Sequence, residues 1–385
     1  MNNENNNIPR ERTVRILAVA CGFLFFAFSV LYLAVFQVDV AEALHHELSR
    51  GKTVYSPWIS AVLVTVVLML LCWLINGFVR LRGAMEALSY FPACLILGVL
   101  MDVGYEAFHG ACIWSQWTWL LPLLLGLYVV SGFFLSRLLH FLMNPNCATG
   151  IIVNSNLFIL LMLCFMTVGI GNTDIHFHHE LQMEEALRKQ DYEEARKVAG
   201  STMDPSRNLT ALRAYSMSRE GTMGEYLFQY PQLYGAAGLL MGTDERKTVR
   251  MDADSLYTYL GDRPAVGEPA LKFFRRICQE ETGNHTTLDY YLSALLLERK
   301  LDEFVSAYND LYAADGEVPR YYRQALFLYR QMHPSVALDV TADAAMQELW
   351  GKYTEKQQEL TGQRGEGNRM RREFGDTYWW YYQYK

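Results

Sequence analysis

The sequence predicts an all-α chain in two parts: a transmembrane helix bundle of about five spans, then a soluble α-solenoid of paired helices. Three observations predict it. Charge is unevenly divided, with eight Lys/Arg and eight Asp/Glu in residues 1–172 against 26 and 33 in residues 173–385. The first part holds five apolar runs of membrane-spanning length. The second has long amphipathic stretches at helical spacing and little strand-like alternation. A chain of 385 residues has room for two domains. Its net charge of −7 lies in the second part, and an acidic balance without a basic stripe argues against a nucleic-acid partner.

The N-terminus, residues 1–13, precedes spans at about 14–37, 58–79, 88–107, 115–139 and 151–172. The first has a basic start and an Ala41-Glu42-Ala43 triplet, as a signal peptide would. Its apolar core is longer than the roughly 7–15 residues of a signal core, so it reads as an uncleaved anchor. The third holds Pro92 and ends with Asp102 and Glu106, which makes it the weakest span. Arg10, Arg12, Arg15, Arg80, Arg82 and Arg137 fall on one side of the bilayer if all five cross; Arg50 and Lys52 fall on the other. Positive loops stay cytoplasmic, so the N-terminus is expected inside and residues 173–385 outside, with the helical-repeat domain at 173–349, in the periplasm of a bacterial inner membrane. The seven cysteines form no CxxC and no paired framework.

This topology gathers polar residues at the outer surface. The first outer loop carries Asp39, Glu42, His45, His46 and Glu47; the second carries Asp102, Glu106 and His109. TDIHFHHELQ, where the chain leaves the last span, adds Asp174, His176, His178, His179 and Glu180. Imidazole and carboxylate together suit a divalent metal ion, and no other cofactor is expected. In a helix, His176, His179 and Glu180 would share a face. Histidine could also carry protons near neutral pH. The bland alternative is capping and interfacial polarity, with Asp174 in a first turn.

In the soluble part, ELQMEEALRKQDYEEARKVAGSTMDP reads as two helices joined at Gln190-Asp191. Leu181, Ala186 and Leu187 face Tyr192, Ala195 and Ala199. Thr286 to Pro319 repeats the form, with Leu301, Phe304 and Tyr308 in the second set of places, an offset of 109 residues. Both segments resemble tetratricopeptide repeats, although neither has the usual Trp and Gly of the first helix. Between them, GEYLFQYPQLYGAAGLLMG is unusually apolar, fitting a buried helix pair or a groove lining. Residues 350–385 read as a polar linker and the aromatic tail TYWWYYQYK, which should be buried in the solenoid's groove, in a partner or at the bilayer interface.

The multispan half, the repeat-like half and the FGDTYWWYYQY ending resemble an uncharacterised family of Bacteroidota-type bacterial inner-membrane proteins with a helical-repeat tail. That resemblance implies the layout and no activity. The expected function is a membrane-anchored interaction protein whose solenoid binds a protein or peptide, since no nucleophile–base motif, phosphate loop or zinc signature is present. Tyr226, Tyr230, Tyr234, Tyr291, Tyr308, Trp379 and Trp380 are the expected partner-binding residues. The alternative is an enzyme or enzyme subunit. Some lipid-linked sugar transferases resemble this layout and place acidic residues in the first outer loop, where Asp39, Glu42 and Glu47 stand; Asp102 joins them as a candidate. Those enzymes have more spans. A third reading is proton-coupled transport, resting on Asp102 and the loop histidines.

Overall fold

A computed structural model describes residues 7–79, 81, 83–109, 114, 116–142, 149–242, 249–280, 286–312, 317–336 and 344–385. All regular structure among them is helical. The chain divides into two compact units, Met1–His178 and His179–Lys385.

The first unit contains α1 (Asn7–Leu31), α2 (Val38–Ser49), α3 (Pro57–Val79), α4 (Phe91–Met101), α5 (Trp117–Leu142) and α6 (Thr149–Ile170). Four segments are long and apolar enough to cross a membrane: Arg15–Phe36, Pro57–Gly77, Trp117–Phe134 and Gly150–Ile170. The expected third span is shorter. Its apolar helix runs only Met85–Met101, beginning as a 3-10 helix at Gly83–Tyr90. At about 1.5 Å per residue, it falls a little short of the roughly 30 Å hydrocarbon core. The segment between the first two apolar helices is not irregular; most of it forms α2, entered through a π-turn at Tyr32–Phe36.

Hydrogen bonds fix the direction of the short helix. Asn156 accepts from the Ala87 N–H at 2.7 Å, Thr167 donates to the Cys94 carbonyl at 3.1 Å, and the Asn172 N–H donates to the Met101 carbonyl at 2.9 Å. The partners rise together along both helices, so α4 runs parallel to α6. Gly98 permits this closeness: a Cβ there would lie 2.9 Å from Ile170 Cβ. Phe25 meets Tyr90 near the start of α4, while the Gln37 side chain reaches the Asn172 carbonyl beyond its end, so α1 runs the same way. Phe91 meets Tyr128, and Trp117 meets Asp102, so α5 runs the opposite way. Leu95, Leu97, Val99 and Met101 are all buried, which places α4 inside the bundle and away from lipid.

The unit boundary falls within α7 (Ile175–Arg188). The second unit continues through α8 (Tyr192–Lys197), α9 (Arg207–Glu220), α10 (Met223–Tyr226), α11 (Ala253–Leu260) and α12 (Ala270–Gln279). It ends with α13 (Thr286–Leu297), α14 (Leu301–Leu311), α15 (Arg320–Met332), α16 (Ala344–Leu360), α17 (Glu366–Phe374) and α18 (Tyr378–Tyr384). The 109-residue offset reappears in the backbone. Asp191 N–H bonds to the Ala186 carbonyl and Gln190 N–H to that of Leu187; Lys300 and Arg299 bond likewise to Leu295 and Leu296. These paired bonds past a helix end form a Schellman turn, with Gln190 and Arg299 in the left-handed region at φ 58° and 56°. Thr222 and Gly221 repeat it after α9. The helices after the turns differ: α8 has 6 residues and α14 has 11, so the first pair is truncated.

Residues 350–373 are largely helical where a polar linker was expected, and the aromatic tail is buried in its own unit, the first of the three places expected for it. Both lie in α16, α17 and α18, packed into the core of the second unit. Trp379 is 1% exposed, meets Trp350, Phe327 and Tyr353, and donates its indole N–H to the Gln324 carbonyl at 2.9 Å. Tyr378 and Tyr381 donate their hydroxyls to the Leu296 and Leu297 carbonyls at the end of α13, the first of which also accepts from the Arg299 N–H. Thr377 caps α18 by accepting from the Trp380 N–H.

Candidate functional sites

The end of the first unit holds a hydrogen-bonded polar cluster. Asn172 is its centre. Its side-chain amide donates to the Val103 carbonyl at 2.6 Å, and its own carbonyl accepts from Gln37 at 2.8 Å. His178 lies 3.2 Å from the same carbonyl through Nε2, and 3.5 Å from the Asp39 carboxylate through Nδ1. Asp39 raises the His178 pKa above its ordinary value; burial opposes this, and the Asn172 carbonyl assists it. Phe177, fully buried against Tyr105, fixes the turn that delivers the imidazole. An imidazole held between a carboxylate and a carbonyl can store a proton. Its burial leaves little room for a substrate.

The remaining candidate residues of the first unit's loops do not join this pair. His45 contacts Thr53 and Tyr55. His46 folds over Gly51 and lies 3.9 Å from Glu47. Glu42 acts on Tyr55, whose hydroxyl burial pushes up to about 12. Asp102 accepts the Trp117 indole N–H at 2.6 Å, and His109 closes a short 3-10 turn after Phe108. Asp174 behaves as the bland reading expected, accepting from the His176 N–H in the first turn of α7. His176, His179 and Glu180 do share a helix, but Glu180 accepts from the Ser206 hydroxyl at 2.5 Å inside the second unit. Among the described residues, no three His, Cys, Asp or Glu converge as ligands of one metal ion. The candidate ligands His45, His46, His109, His176, His178, His179 and Glu180 are thus dispersed among local turns and caps.

The expected groove residues are mostly packed inward. Tyr230, Tyr291, Trp379 and Trp380 are buried in the second unit's core. Tyr226 lies under the Arg196 guanidinium at 3.8 Å, and Tyr308 packs on Phe304, Tyr312 and Tyr322. Tyr234 alone of the seven is exposed, and its hydroxyl bonds to the Pro205 carbonyl. An aromatic run in a chain this size serves the core first, because each ring carries more apolar area than a surface can leave wet.

Three features escaped the sequence reading. A cleft of about 330 Å³ opens on the second unit, between Gly200–Met203, Gln229–Gln232 and the helices α17 and α18. Arg371, Arg372 and Lys385 line it, over Phe228, Tyr230, Trp380 and Tyr381. The cationic pair in MRRE was its only sequence signal, and the apparent linker hid it. A smaller cavity of about 210 Å³ lies inside the bundle, where Glu86, Asn76, Ser89, Tyr90 and Asn156 meet Cys21 and Cys72. A carboxylate beside an apolar span was the clue there. Third, Glu184 is almost wholly buried, and accepts the Arg250 and Met251 N–H groups. Burial pushes its carboxyl up to about 7, against those hydrogen bonds.

A family of unknown function, DUF6057, matches residues 266–385, a span that includes α17 and α18 of the cleft but not its other wall. No curated protein and no solved structure matches the chain.

Proposed function

We propose that this chain is a membrane-anchored interaction protein whose helical unit binds a protein or peptide partner. The observation that carries the reading is the cleft. The second unit completes a core of its own and still presents a concave, cation-rimmed face, which a purely structural unit does not need. Tyr230 and Trp380, two of the expected partner-binding residues, lie in its floor. We read the helix pairs α7–α8 and α13–α14, set 109 residues apart with the same turn, as tetratricopeptide-like, in a Bacteroidota-type inner-membrane protein.

The bundle's directions support a topology. The short apolar helix runs parallel to α1 and α6, as a third crossing would. Five crossings put the N-terminus in the cytoplasm and the helical unit in the periplasm. A photo-crosslinking residue at Gln229, on the cleft, should give adducts in cells; one at the exposed Val266, outside it, should not. Equal labelling from both positions would refute the cleft as the binding face.

A second reading has one observation in its favour. Asp39 and His178 form a carboxylate–imidazole pair of the kind used in proton transfer. An enzyme or subunit acting on a lipid-linked substrate could use it. Asp39→Asn would then abolish function in a protein of normal abundance, while cleft variants would leave function intact.

A further inference from the structure

The cleft of the second unit carries cations whose charge the fold does not neutralise. Arg371 directs one guanidinium nitrogen to the Met203 sulfur at 3.5 Å and stacks over Trp380 at 5.3 Å. Neither contact is with an anion. Among the described residues, no carboxylate pairs with Arg371, Arg372 or Lys385. Two carboxylates also line the cleft: Asp376 is committed to Arg320 at 2.9 Å, and Glu373 stands exposed on the rim. Lys385 has its charge disfavoured by burial and by Arg371. Three cations thus line one concavity against two carboxylates, one of them committed to Arg320, although residues 173–385 carry an excess of seven acidic groups. Folding alone does not favour that arrangement, but an incoming anion does.

The rest of the lining describes what the anion is attached to. Met203 is 64% exposed, a long apolar side chain turned to solvent beside Pro231 and Tyr230. Gln229, Ser201 and Thr202 add neutral hydrogen-bonding groups. A free inorganic ion would use the cations and leave the apolar wall wet. An extended peptide uses both.

We infer that the cleft binds a short acidic peptide segment of the partner, with a carboxylate between Arg371 and Lys385 and a neighbouring apolar side chain against Met203 and Pro231. This rests on the interaction reading above and adds the partner's chemistry to it.

The test uses the full chain in detergent and a fluorescent hexapeptide of alternating Glu and Leu, beside its Gln–Leu counterpart. The Glu peptide should bind about tenfold tighter, and weaken as salt rises from about 50 to about 200 mM. Lys385→Gln and Arg372→Gln, both exposed positions outside the core, should each lose several-fold in affinity, as should Arg371→Gln. Arg364→Gln, exposed and outside the cleft, should change nothing. Equal binding of the two peptides, or indifference to all three cleft variants, overturns the inference. So does complete displacement by inorganic phosphate, which would mark a small-oxyanion site. If the Glu peptide fails while crosslinks from Gln229 persist, the acidic ligand is wrong and the interaction reading stands. If the crosslinks are also absent, both fall.

Discussion

Trp379→Ala tests whether the aromatic C-terminus belongs to the core or to a partner. The indole is 1% exposed and ringed by Trp350, Phe327 and Tyr353. Removing a buried Trp costs about 3–5 kcal/mol in transfer and cavity terms. The Gln324 carbonyl also loses its donor, which adds about 1 kcal/mol. The total, about 4–6 kcal/mol, is a large share of the roughly 5–15 kcal/mol that holds a domain folded. For a unit of this size each kcal/mol moves the melting temperature by about 2–4 °C, so the midpoint should fall by about 8–24 °C. Differential scanning calorimetry of the detergent-solubilised protein reads it. A midpoint within about 2 °C of the parent would refute the packing described for α18 and return the tail to the surface.

Three further outcomes follow. Glu184 has a folded pKa of about 7 against an ordinary 4.5, so the folded state holds the extra proton between those values and stability falls as pH rises through that window. The loss is about 3 kcal/mol when complete, and Glu184→Gln should flatten the pH dependence seen in denaturant titrations. Asp39→Asn should lower the His178 pKa, measured by NMR of the ring protons. The stability from this pair is fully present below pH 6.5 and is lost as pH rises through the raised folded value, so an unmoved titration would refute the pairing. Gln190→Gly relieves a left-handed residue at φ 58° and should stabilise the second unit by about 1 kcal/mol; a loss on urea unfolding would mean that its side chain has a role not seen here.

Some of this was legible in the sequence, for identifiable reasons. Four long apolar runs are unmistakable because a bilayer demands about twenty apolar residues in a row. The apolar helix Met85–Met101 was harder to read. A helix enclosed by protein can be short, and its Pro92 sits harmlessly in the first turn of α4. The turns at Gln190 and Arg299 were visible through a shared pattern of small and apolar residues, although neither carries the glycine that a left-handed turn favours. The sites were less legible. Six histidines near one surface suggested convergence, but ligand geometry depends on loop conformation, and α2 and two short turns separate them. The aromatic residues signalled buried area, and only Tyr230 and Trp380 of the seven also line the cleft. Cations recognised only as linker polarity became a cleft because α17 folds back beside Gly200–Met203, a long-range contact that no local pattern announces.

The measurement that tests the account most directly is the sidedness of the two ends. Paired fusions of a cytoplasm-active and a periplasm-active reporter, placed at the N-terminus and after residue 200, read it in intact cells. The account requires the N-terminal fusion to report cytoplasm and the fusion after residue 200 to report periplasm. Both reporting the same side would mean that Met85–Met101 does not cross, and the helical unit, with its cleft and any partner, would belong to the other compartment.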